Sequence, residues 1–305
     1  MISLRAKAKK STRRSQKRPQ HYHCFRLQKR YLAFLLLWIC ARGALASPAP
    51  FTIVIDPGHG GSDLGAIYDN GFVRIAEKEI TLRIAVQAAR ALRRKGFNVT
   101  LTRSVDREVP LSARTALANR LKADVFLSIH MNSNPDSLLN RPLGGPEGVE
   151  TYILNHTSDA TSKRLAYLEN SHNRPNLPEG QEVMDVALIL KDLTLDANTS
   201  ESKLLACSIQ KHLVGAGSLA ASRAFAHRPR NRGVREALFH VLLGADMPSA
   251  LVEAGFMTSS RDRTQVMSVD GRKRIGAAIA QAIDQYHSLK NSPEASLALS
   301  TCKVH

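Results

Sequence analysis

A chain of 305 residues with 43% hydrophobic and 23% charged residues has the apolar content for a buried core and excludes wholesale disorder. The formal charge of +17 invites a nucleic-acid partner until it is located: residues 1–46 hold 12 Lys and Arg and no acid, leaving 31 basic against 26 acidic residues beyond them. The basicity belongs mostly to a leader and excludes nucleic-acid binding as the work of the remaining body.

That leader is ordered as an export signal. The basic stretch "KAKKSTRRSQKRPQ" precedes the apolar run Tyr31–Cys40, and "ARGALA" supplies small residues for cleavage after Ala46. The run is too short to span a bilayer and Arg42 closes it, so the membrane is met only through the signal. Leu37–Cys40 is a loose lipoprotein box, with bulky Ile39 where a small residue belongs. The expected location is the periplasm. Cys24 and Cys40 leave with the leader; Cys207 and Cys302 remain, either as a disulfide or as two unrelated thiols.

From Phe51 strand and helix signals alternate. Phe51–Asp56 reads as a strand; Glu77–Lys95 as a helix, with Ile80, Ile84 and Ala88 at helical spacing and Gly96 as the stop; Phe97–Arg103 as a strand; Ser112 as the cap of a helix to Lys122; and Asp124–Ile129 as a strand. Gly148–Leu154 continues the strands, helices follow at Asp159–Asn170 and Ser200–Val214, then short strands at Phe239–Leu243 and Ser249–Ala254, and a helix at Asp270–Leu289. Ser171–Asn198 mixes a turn-rich half with an apolar half and reads as an insertion, and residues 290–305 read as a short tail. The expectation is one α/β domain over residues 47–289, with a roughly six-stranded mixed sheet and helices on both faces.

In such sheets ligands bind beyond the carboxyl ends of the strands. His59 follows "TIVID" on a Pro-Gly turn, His130 follows "VFLSI", Glu253 ends "SALV", and Glu77 opens a helix. Two imidazoles and a carboxylate form the ligand set of many hydrolytic zinc sites, and another carboxylate nearby serves as general base. Each residue also has an ordinary explanation: a loop histidine, a satisfied core histidine, a helix-opening acid, a paired buried acid. The glycine-rich run is no phosphate cradle, because Asp63 takes the third glycine position and no Gly-Lys-Ser/Thr follows.

The stretches "IDPGHGGSDLGA", "AEKEITLRIA", "LTRSVDREVPLSARTALAN", "SIHMNS", "RGVREALFHVL" and "PSALVEAGFMTS" resemble the zinc-dependent N-acetylmuramoyl-L-alanine amidases of the bacterial cell-separation type (amidase-3 catalytic domain), over about Phe51 to Tyr286. The resemblance implies hydrolysis of the amide between N-acetylmuramic acid and L-alanine in peptidoglycan. It implies Zn2+ on His59, Glu77 and His130, with Glu253 as acid/base. Helical geometry does not choose between Glu77 and Glu79; the family pattern selects Glu77. Division-associated relatives also carry a zinc-blocking helix that an activator protein displaces. Ser171–Asn198 occupies that place, with Glu179, Glu182 and Asp185 as candidate inhibitory carboxylates. Between the cleavage site and the first strand only "SPAP" remains, where many relatives have a targeting domain.

Two rival functions are carried alongside. A penicillin-sensitive serine D,D-carboxypeptidase would use a Ser-x-x-Lys pair; Ser200 with Lys203, and Ser208 with Lys211, match at near-chance frequency, and no Lys-Thr/Ser-Gly occurs. A catalytically inactive wall-binding activator would have lost its metal ligands, and here all of them are kept. The basic cluster "RAFAHRPRNRGVRE" lacks the interleaved aromatics of a base-stacking surface and reads as a solvated loop or a contact to the anionic wall.

Overall fold

A computed structural model describes residues 50–133, 145–171, 181–216 and 228–305, with side chains of the third stretch described from Asn198 onward. In chain order the elements are β1 (Thr52–Pro57), β2 (Ile67–Asp69), β3 (Arg74–Ala76), α1 (Glu77–Arg94), β4 (Asn98–Leu101), α2 (Leu111–Arg120), β5 (Val125–Asn132), β6 (Val149–Leu154), α3 (Ala160–Ser171) and α4 (Gln181–Gly215). There follow β7 (Asn231–Ala237), α5 (His240–Leu243), β8 (Ser249–Phe256), α6 (Ser260–Met267), α7 (Val269–Leu289) and α8 (Glu294–Thr301).

The main sheet has six strands in the order β4-β1-β5-β8-β6-β7, and β2 and β3 form a separate antiparallel hairpin. Strands β4, β1, β5 and β8 run parallel, β6 is antiparallel to β8, and β7 is parallel to β6. The sheet is therefore mixed, as the alternating pattern predicts. Side-chain alternation along each strand feeds two cores. Ile53, Ile55, Leu127 and Ile129 pack with α1, α4 and α7, whereas Val54, Phe126, Tyr152 and Leu251 pack with α2, α3 and α5. On α1 the apolar stripe Ile80, Ile84, Ala88 and Leu92 is fully buried. Each large aliphatic side chain so buried contributes about 1.5–3 kcal/mol.

Four expectations are corrected here. Phe239–Leu243 reads as a strand but forms the short helix α5, with extended Phe239 before it; a brief apolar run fits a buried helical turn as well as a strand. Helix α2 begins at Leu111 behind Pro110, and Ser112 provides no cap, because proline presets the backbone angle of a helix start. Part of the basic cluster expected as a solvated loop forms β7, where Val234 faces the core and Arg232 and Arg235 pair with buried Glu150. Residues 290–305 are structured. Helix α8 packs Ala295, Ala298 and Leu299 on the core, Cys302 is disulfide-bonded to Cys207 on α4, and Val304 bridges Val234 of β7. Among the described residues no helix is long and apolar enough to cross a membrane.

Candidate metal and catalytic centre

Strand β1 ends where its ladder runs out: Pro57 has no N–H to offer, and Gly58 N–H crosses to the Ile129 carbonyl at 2.9 Å. His59 then takes a left-handed backbone, φ 61°, an uncommon state for a non-glycine residue that surrounding contacts must hold. Two buried arginines do so. Arg114 donates to the carbonyls of Pro57 and His59 at 2.9 and 3.1 Å and to Asp56 Oδ1 at 2.8 Å. Arg103 donates to the carbonyls of Pro57 and Gly58 at 3.0 and 2.7 Å. Asp56 is completely buried; burial favours its neutral form, but Arg114 and Thr102 outweigh this and hold its pKa below the ordinary 3.8.

Three elements deliver the predicted ligands to one point. His59 Nε2 lies 3.0 Å from Glu77 Oε1, and His130 Nδ1 lies 3.3 Å from the same oxygen. Glu77 stands at the first position of α1, where its Oε2 accepts from Ala66 N–H and its Oε1 from Met131 N–H. Asp63 accepts from His59 Nδ1 at 3.0 Å, which turns Nε2 toward the cluster. Glycines make the room: a Cβ on Gly65 would lie 2.6 Å from both Glu77 Oε2 and the His59 ring, and one on Gly58 would lie 2.5 Å from the His130 ring.

A fourth group was not foreseen. Glu169, near the end of α3, brings Oε2 to 3.3 Å from His59 Nε2 and 3.1 Å from His130 Nδ1. The four ligand atoms of His59, Glu77, His130 and Glu169 lie within 4.8 Å of one another. Ligands about 2.0–2.1 Å from a tetrahedral ion are roughly 3.3–3.4 Å apart, close to the 3.0–3.3 Å that separates each histidine nitrogen from each carboxylate oxygen here. Glu169 Oε2 and His130 Nδ1 are buried without a hydrogen bond, an arrangement that suits a cation between them. Electrostatics agrees. Burial works against charge on both imidazoles, yet Glu77 and Glu169 overcome it, raising His59 well above its ordinary value and His130 to about 10. Burial would raise Glu77, but the two histidines pull it down to about 2. The cluster draws in positive charge.

Glu253 sits beside this group on β8, in register with His130 on β5 and with Glu150 on β6. It is completely buried, and neither carboxylate oxygen has a hydrogen bond. Burial, then the nearby Glu169, Glu77 and Glu150, raise its pKa well above the ordinary value, against the opposing pull of His130. Such surroundings favour the neutral carboxyl over the carboxylate.

The remaining expected groups fall elsewhere. Ser200 is exposed and Lys203 half-buried on α4, and neither lines the small cavity bordered by His59, Asp63, Arg114, His130 and Glu169. The side chains of Glu179, Glu182 and Asp185 lie outside the described residues, as does the leader. Sequence reasoning missed Glu169 because a glutamate in the last turn of a surface helix is unremarkable. One signal was available: a carboxylate there opposes the helix dipole.

A buried acid standing next to a seat for a divalent ion is the division of labour of metal-assisted hydrolases, and that is the class this fold and site define. Residues 53–285 match the N-acetylmuramoyl-L-alanine amidase family, and the chain belongs to it. Among curated relatives it is 34% identical over 239 residues to N-acetylmuramoyl-L-alanine amidase AmiC of Neisseria meningitidis, covering 77% of this chain but 52% of that protein. It is 30% identical to the amidase AmiA of Escherichia coli, covering 77% of this chain and 75% of the relative. The chain thus spans about half the length of the Neisseria protein. Among solved structures, an N-acetylmuramoyl-L-alanine amidase from Clostridium difficile superposes with a TM-score of 0.56 at 25% identity, over 79% of this chain and 99% of that one. AmiC2 of Nostoc punctiforme gives 0.54 at 28% identity, over 78% and 97%.

Proposed function

We propose that this chain is an exported, zinc-dependent amidase that cuts the bond between the lactyl group of N-acetylmuramic acid and L-alanine in peptidoglycan, during wall remodelling and daughter-cell separation. The observation that carries this reading is the convergence of His59, Glu77 and His130 on one point, with Glu253 buried and unbonded in the adjacent register position. His59, Glu77 and His130 would hold the ion. Zinc, when bound, lowers the pKa of water and polarises a carbonyl. Asp63 fixes the orientation of the His59 ring. With a cation in the neighbouring cluster the carboxylate form of Glu253 is favoured, and it would accept a proton from the attacking water and deliver it to the departing L-alanine nitrogen.

Glu169 adds a fourth ligand atom to the three expected ones, so on this reading it takes the coordination position that water or substrate would use and α3 restrains the enzyme. The regulatory segment then begins before Ser171, and an activator protein that lifts α3 would free the site. The leader directs the chain to the periplasm. Neither the serine carboxypeptidase nor the inactive binder draws support from the site, since Ser200 is away from it and the ligands are intact.

The direct test is mass spectrometry of muropeptides after incubation with protein lacking residues 1–46. Free stem peptides beginning with L-alanine are expected, lost with chelator and restored by zinc. Products cut only between peptide residues would overturn the reading.

A further inference from the structure

The catalytic row does not stop at Glu253. His130, Glu253 and Glu150 stand in register on β5, β8 and β6, on the face that also carries Phe126, Leu251 and Tyr152. Across a bulge between Val149 and Thr151, Arg232 of β7 meets Glu150, its Nε donating to Oε1 at 2.6 Å. Glu150 is 1% exposed, and its other oxygen accepts from Asn132 and Tyr152. Arg232 is itself 21% exposed in its side chain and lies over the Phe256 ring, 5.0 Å from the centroid. One edge of the guanidinium is therefore anchored and one face is stacked, while its two terminal nitrogens have no partner among the described residues.

An arginine fixed in this way is prepared for a carboxylate. Its remaining donors form a planar fork, and little side-chain freedom is left to lose on binding. Adjacent strands are about 4.8 Å apart, so Arg232, two strands from Glu253, stands roughly 10 Å away along the row, and its guanidinium reaches back toward Glu150. A carboxylate carried one residue beyond the scissile amide lies within that span. We propose that Arg232 is a specificity-determining residue that binds a free carboxylate of the stem peptide. The inference rests on the amidase reading above.

The test compares N-acetylmuramoyl-L-alanyl-D-isoglutamate with its isoglutamine counterpart, which differs in one carboxylate. Both are assayed with zinc-loaded protein in a Glu169→Ala background, alone and with Arg232→Gln or Arg232→Lys. The background protein should prefer the acid by about tenfold or more in kcat/KM, the scale of a hydrogen bond to a charged group. Arg232→Gln should bring the ratio close to one, chiefly through KM, and Arg232→Lys should keep part of the preference. A structural defect alone would slow both substrates and leave the ratio intact, and that result overturns the proposal. So would equal cutting of acid and amide by the background protein. Failure of every protein to cut either substrate would sink the amidase reading and this inference with it.

Discussion

His130 and Glu253 are cross-strand neighbours on parallel strands β5 and β8, one side chain turned into the ligand cluster and the other buried without a hydrogen bond. On the proposed function this separates binding the ion from moving the proton. Glu253→Gln should keep full zinc content and lose activity by on the order of 10²–10⁴, the usual worth of a positioned acid/base. His59→Ala should lose both. Metal analysis beside muropeptide release distinguishes them; a Gln variant cutting at the parent rate would show that the acid is another residue.

Glu169 makes the opposite prediction. Its removal deletes a carboxylate from the cluster, yet Glu169→Ala should release muropeptides at least about fivefold faster, the low end of ordinary coupling between a regulatory contact and a site. Zinc content, measured on the same sample, should remain. A slower variant would make Glu169 a working part of the centre rather than a restraint.

Gly58→Ala probes how tightly the centre is packed. The new Cβ would lie 2.5 Å from the His130 ring, so the ring must move. The variant should fold, with zinc affinity weakened by about 10- to 100-fold, as when a ligand loses its support. Unchanged affinity in a competition assay would mean that the loop shifts freely.

The pair Arg114–Asp56 is buried, with side chains 2% and 0% exposed. Arg114→Ala should destabilise the fold by about 3–5 kcal/mol, the cost of leaving a buried charge alone. Because the folded-state pKa of Asp56 is depressed below 3.8, its contribution is present above that pH and fades as pH falls through the folded value. Denaturant melts should show this acid-side loss in the parent and a smaller one in Asp56→Asn.

The Cys207–Cys302 disulfide closes a separation of 95 residues. Its loss in Cys302→Ser should cost about 2–5 kcal/mol. The parent melt should respond to reductant and the variant melt should not.

The legible part of this molecule is the part where one residue type carries its reason locally. His59 follows β1, and His130 and Glu253 lie in the C-terminal halves of β5 and β8 behind mostly apolar runs, the end of an α/β sheet where ligands bind. Glu169 is different, because its role comes from where α3 docks rather than from its neighbours in sequence. Phe239–Leu243 was ambiguous for a physical reason: four apolar residues fill a buried turn of helix or a strand equally well. Arg232 and Arg235 looked solvated because their partner, Glu150, lies more than eighty positions earlier in the chain. The disulfide stood undecided until α8 packed Cys302 against α4.

The segment after α8 has one more effect. His305 N–H bonds to the Val234 carbonyl at 2.9 Å, and Val304 lies alongside β7, so this edge strand has part of its hydrogen-bonding capacity already taken. An open strand invites another molecule to continue the sheet and seed aggregates. Here such an intruder must first displace a strip riveted in place through sulfur, so an oxidising environment also protects solubility.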